Sequence, residues 1–91
     1  MIKMTENYRN RLIEQRLKKM IVSIKYTEGK NTFKAPFTLL DEYTDGALPS
    51  NDNLSNITAW SIAEEKFIDI PCENIFGTII DGKVTEPEKV N

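Results

Sequence analysis

The strongest constraint on what this chain can fold into is a change of hydrophobic period at Met20. Before it, the apolar residues Tyr8, Leu12, Ile13, Leu17 and Met20 run at spacings of four, five and three along a stretch free of Gly and Pro, the signature of a helix with one apolar side. After it, Val22, Ile24 and Tyr26 alternate with Ser23 and Lys25, the period-two pattern of a half-buried strand. The pattern never returns to a helical period. One helix followed only by short alternating runs predicts an α+β fold.

Local chemistry sets the predicted boundaries. Thr5 caps a helix over residues 5–20, with Glu6 at its positive end and Arg16, Lys18 and Lys19 at its negative end. Arg9 and Arg16 fall inside the apolar arc. Either their stems pack and their heads reach water, or the helix is partly free and meets a partner. Glu28-Gly29-Lys30-Asn31 is turn chemistry, and the next strand puts Phe33, Ala35, Phe37 and Leu39 on one face, with Pro36 demanding an edge, bulge or break.

Residues 44–56, rich in Gly, Pro, Ser, Asn and Asp, form the longest predicted loop. Residues 57–62 alternate again, with Trp60 assigned to the core. Glu64-Glu65-Lys66 turns the chain into a strand at 67–70, and 75–80 is the last strand. The β region therefore spans 21–80 within a single domain of residues 1–82, and 83–91 reads as a flexible tail. Five consecutive antiparallel strands of this length bury one face best as a small barrel or a strongly curled sheet.

The run Phe67-Ile68-Asp69-Ile70-Pro71-Cys72-Glu73-Asn74-Ile75, following a helix and short strands, resembles the Sm-like and SH3-like small β-barrels. Its closing segment "IPCENI" looks like that of YolD-like proteins. The resemblance implies a single helical turn, opened by Pro71, between the fourth and fifth strands. It implies no functional residues.

Chemistry is constrained chiefly by the absence of histidine. That removes Ser-His and Cys-His pairs, the commonest general base and the commonest metal ligand. With one cysteine, Cys72, neither an internal disulfide nor a zinc site is expected, and no cation is expected to flank its thiol and activate it. The glycines are scattered and form no phosphate loop. The chain is expected to be a non-enzyme without cofactor or metal. No apolar run is long enough to span a bilayer and no signal-peptide core is visible, so a cytoplasmic protein with no membrane partner is expected.

The formal charge of −2 conceals a division. Residues 1–34 carry nine Lys/Arg against three Glu, a net +6, and residues 35–91 carry three Lys against eleven acids, a net −8. The two halves either neutralise each other within the fold, meet charged partners, or assemble into a homodimer.

The favoured expectation is a small protein-binding module, an inhibitor or adaptor encoded by a phage or mobile element. Its acidic face and loop would use Asp41, Glu42, Asp45, Asp52, Glu64, Glu65 and Asp69, a charge pattern able to imitate nucleic-acid phosphates. The alternative is an Sm-like nucleic-acid binder that uses Arg9, Arg11, Arg16, Lys18 and Lys19 on the helix, with Tyr8 stacking on a base.

Overall fold

The structure, a computed structural model, describes residues 4–90. Helix α1, Glu6–Arg11, starts where the Thr5 hydroxyl accepts the Tyr8 amide at 3.1 Å. It runs directly into a π-helical segment, Leu12–Leu17. The predicted helix thus ends at Leu17, three residues early, and its second half is wound more loosely. The five-residue spacing explains this. In an α-helix, residues five apart lie about 140° apart around the axis, so Leu12 and Leu17 would face different ways. An i→i+5 ladder returns them towards one side, and both are buried. The Lys18 amide bonds the Ile13 carbonyl at 3.1 Å as the last such step.

Strands β1 (Val22–Glu28), β2 (Asn31–Thr38), β3 (Asn56–Ser61), β4 (Lys66–Pro71) and β5 (Ile75–Ile79) follow, all pairing antiparallel in the order β4-β3-β2-β1-β5. Gly29, with φ +64°, turns β1 into β2. β2 pairs with β3 only at Phe37 and Thr38, because the proline at 36 offers no amide to a ladder. The Pro36 carbonyl still accepts from the Ile62 amide at 3.3 Å.

β4 and β5 stand at opposite edges of the sheet, yet only one 3₁₀ turn, Cys72–Asn74, joins them. Five flat strands about 4.8 Å apart would separate those edges by about 19 Å. A 3₁₀ turn of this length covers about 8 Å. The sheet must therefore curl. No ladder joins β4 to β5 among the described residues, so it is curled and open, not closed into a barrel.

The concave face holds the core: Val22, Ile24, Ala35, Phe37, Ile57, Ala59, Ile70 and Ile75, covered by Leu12, Ile13 and Leu17. On β3 the alternation places Ile57, Ala59 and Ser61 inward and Thr58 and Trp60 outward. Trp60 is therefore not a core residue. It is half-buried on the convex face, edge-to-face against Phe67 with ring centroids 5.2 Å apart.

The expected free tail also differs. Glu88–Lys89 forms a sixth strand, β6, on β2 opposite Lys34 and Phe33. The Val90 amide bonds Thr32, and Lys34 pairs with Glu88 at 3.7 Å. β6 takes the stretch of β2 edge that β3 leaves unpaired, beyond Pro36.

Candidate partner-binding surfaces

The long loop is held by a residue that the sequence places on the wrong side of the balance. Arg9 projects from α1 and is 2% exposed. Its Nη2 donates to the carbonyls of Asn51 at 2.7 Å and Asn53 at 3.1 Å, its Nε to that of Asn56 at 3.0 Å, and its Nη1 to the Asn10 side chain at 3.0 Å. No carboxylate pairs with it among the described residues. The guanidinium fork satisfies several orphan carbonyls of an irregular segment at once, which the planar, five-donor group does better than any other side chain.

Asn51 then extends the order. Its side-chain amide accepts from the Thr58 amide at 2.8 Å and donates to the Thr58 carbonyl at 3.2 Å. It acts as a one-residue strand on the edge of β3 that β2 does not cover. The second half of the loop, residues 51–56, is therefore tied to α1 and β3; the loop follows a short helix α2, Asp41–Thr44.

Cys72 sits beside this clasp. Its amide bonds the Ser55 carbonyl at 2.8 Å and its thiol points at the Leu54 carbonyl. The expectation of no neighbouring cation is corrected: the fold brings Arg9 to it. Burial nevertheless dominates and pushes the Cys72 thiol up, with Arg9 pulling the other way. The thiol stays protonated and unreactive at neutral pH.

The acidic set separates into groups. Glu42 of α2 and Glu65 of the β3–β4 turn line one open cavity of about 380 Å³ together with Tyr43, Trp60 and Ile62. Asp69 shares the convex face of this hairpin and takes a hydrogen bond from the Thr58 hydroxyl opposite it. Glu64 leans towards Lys66 at 4.0 Å. Asp41, Asp45 and Asp52 are exposed but do not line the cavity. Glu65 adopts φ +55°, a left-handed conformation that costs a non-glycine residue about 1 kcal/mol.

The basic set thins out. Arg9 is buried and fully engaged, so it cannot meet a partner. Lys18 pairs with Glu14 at 2.8 Å, and Lys19 bonds the Gln15 side chain at 3.2 Å. Arg11 and Arg16 are exposed and line a cavity with Tyr8, Leu12 and Ile80. That cavity adjoins, through Tyr8, an apolar groove of about 270 Å³ between α1 and β5. Two free cations in place of five make a short electrostatic track.

Comparison with known protein families, curated proteins and solved structures finds no match. The functional reading rests on these surfaces. Among the described residues, no group of three His, Cys, Asp or Glu is placed to hold a metal ion, and no helix is long and apolar enough to cross a membrane.

The aromatic member of the acidic cavity was legible as a residue but not as a site. Reading the alternation outward from Ile57, a β-branched residue that favours burial, would have put Trp60 on the outer face. Arg9 carried a signal too: it lies three and four residues from Leu12 and Ile13, on the buried side of the helix.

Proposed function

We propose that this chain is a small non-catalytic protein-binding module that grips a lysine- or arginine-bearing surface of its partner in the cavity between α2 and the β3–β4 hairpin. One observation carries the reading: Trp60, half-exposed and braced by Phe67, forms the wall of an open cavity rimmed by the Glu42 and Glu65 carboxylates. An indole face attracts a cation, and a nearby carboxylate adds an ion pair, so aromatic and acid together select a guanidinium or ammonium group. A rigid aromatic anchor ringed by polar groups is also the usual form of a binding hot spot. The Arg9 clasp supports the reading by fixing the segment that follows α2.

In its specific form, the module is an inhibitor or adaptor, encoded by a phage or mobile element and acting in the cytosol, that occupies the basic surface of a host protein. The net −8 of residues 35–91 favours this form. Nucleic-acid binding through Arg11, Arg16 and Tyr8 is the second reading, favoured by their shared cavity.

Parallel cross-linked capture with the native protein and a Glu42→Lys/Glu65→Lys variant tests the first reading. A partner retained by the former and lost by the latter is expected. A partner retained equally by both would contradict it.

A further inference from the structure

β5 is an edge strand: it pairs with β1 along one side, and no strand among the described residues pairs with the other. Beside it lies the groove lined by Met4, Tyr8, Ile75, Phe76 and Thr78, predominantly apolar. Tyr8, 45% exposed, bridges helix and strand through its hydroxyl, 3.0 Å from that of Thr78. Phe76 and Ile80 are 41% and 43% exposed along the same strand and its end. Towards Ile80 the groove becomes cationic, because Arg11 and Arg16 stand there with no ion pair or hydrogen bond of their own among the described residues.

We infer that this groove receives an extended peptide segment of a partner protein, added as a strand to β5, with an apolar side chain in the groove and a carboxylate at Arg11 and Arg16. Strand addition uses a free sheet edge for main-chain hydrogen bonds and flanking pockets for alternate side chains. A helix set beside that edge provides the second wall. The apolar and cationic ends are about four residues apart along β5, a span of about 13 Å. An even spacing keeps the two recognised side chains on one face of the incoming strand. The occupant is acidic because, among the described residues, the only unpaired charges lining the groove are the two arginines. A single-stranded nucleic acid fits less well: it needs a continuous cationic track, and its backbone has no use for the amides of a strand edge. The inference does not depend on the Trp60 cavity, and either stands if the other fails. Together they would make the chain a two-sided adaptor.

The test uses a labelled ten-residue peptide of alternating valine and threonine ending in two aspartates, its counterpart ending in two lysines, and a ten-nucleotide oligothymidine. Saturable binding of the acidic peptide is expected, about tenfold weaker for Arg11→Gln/Arg16→Gln, together with slowed amide exchange over residues 76–79. Phe76→Ser should weaken it too, and Arg11→Gln/Arg16→Gln should melt like the native protein because both side chains are exposed. Equal binding of the lysine peptide, binding of oligothymidine instead, or peptide binding without protection of β5 would overturn the inference. So would a dimer that dissociates on Arg11→Gln/Arg16→Gln, since it would assign the groove to a second copy of the chain.

Discussion

The Arg9 guanidinium donates to the backbone carbonyl of Asn51 at 2.7 Å, joining the first helix to the longest irregular segment of the chain. The same group holds Asn53 and Asn56, so one buried cation orders a loop in which Asn, Asp, Ser and Pro offer little apolar surface of their own. Arg9→Met keeps the stem but strands these carbonyls. A loss of about 3 kcal/mol is expected, and Arg9→Lys should recover only a minor part because an ammonium cannot fork. Urea unfolding measures both. Equal stability of Arg9→Met and the native protein would refute the clasp.

Glu65 separates stability from binding. Its φ of +55° suits glycine, so Glu65→Gly should stabilise the fold by about 1 kcal/mol. For a domain of this size that raises Tm by about 4–8 °C. The same change deletes a carboxylate of the Trp60 cavity and should weaken partner binding. Calorimetric melting and a binding titration on one preparation check the opposite signs.

Alkaline pH should destabilise the protein. Burial raises the Cys72 thiol, and burial, with Glu28 and Glu64 adding to it, raises the Tyr26 phenol. The folded state therefore holds both protons more tightly than the unfolded chain, and unfolding releases protons as pH rises. Their stabilising contribution is complete below the unfolded thiol's value of about 8.5 and is lost above it, first through Cys72 and then through Tyr26, whose unfolded value is about 10. Urea midpoints between pH 7 and 11 should fall accordingly, with Cys72→Ala removing the early part of the decline. A decline unchanged in both Cys72→Ala and Tyr26→Phe would exclude these groups as its source.

The docked C-terminal segment makes a separate prediction. Val84 and Pro87 share a cavity wall with Pro36 and Ile62, and β6 covers the β2 edge. Deleting residues 84–91 should lower Tm by several degrees and speed amide exchange in β2 near Phe33 and Lys34. Unchanged exchange there would mean that β6 contributes nothing to that edge.

The helix and the five strands were legible because each follows from local period or turn chemistry, whereas the helical turn after Pro71 was expected only from the resemblance to small β-barrels. What escaped depends on contacts distant in sequence. The π segment required knowing that Leu12 and Leu17 share one core, and β6 required knowing that Pro36 frees part of an edge. The place of Arg9 inside the apolar arc was legible, but its role was not, because its partners are backbone carbonyls more than 40 residues away. Of the seven acids, only Glu42 and Glu65 meet at the cavity. Their meeting depends on α2 folding back on the β3–β4 turn, a tertiary relation.

Trp60 is the only tryptophan, so its emission reports on the proposed cavity without a label. Titration with a short glycine-flanked tri-arginine peptide should change that emission saturably. Glu42→Gln/Glu65→Gln should weaken the effect at least about tenfold, and Asp52→Asn, whose carboxylate stands outside the cavity, should leave it intact. No change in emission, or equal weakening by Asp52→Asn, would contradict the assignment of this cavity as the binding site.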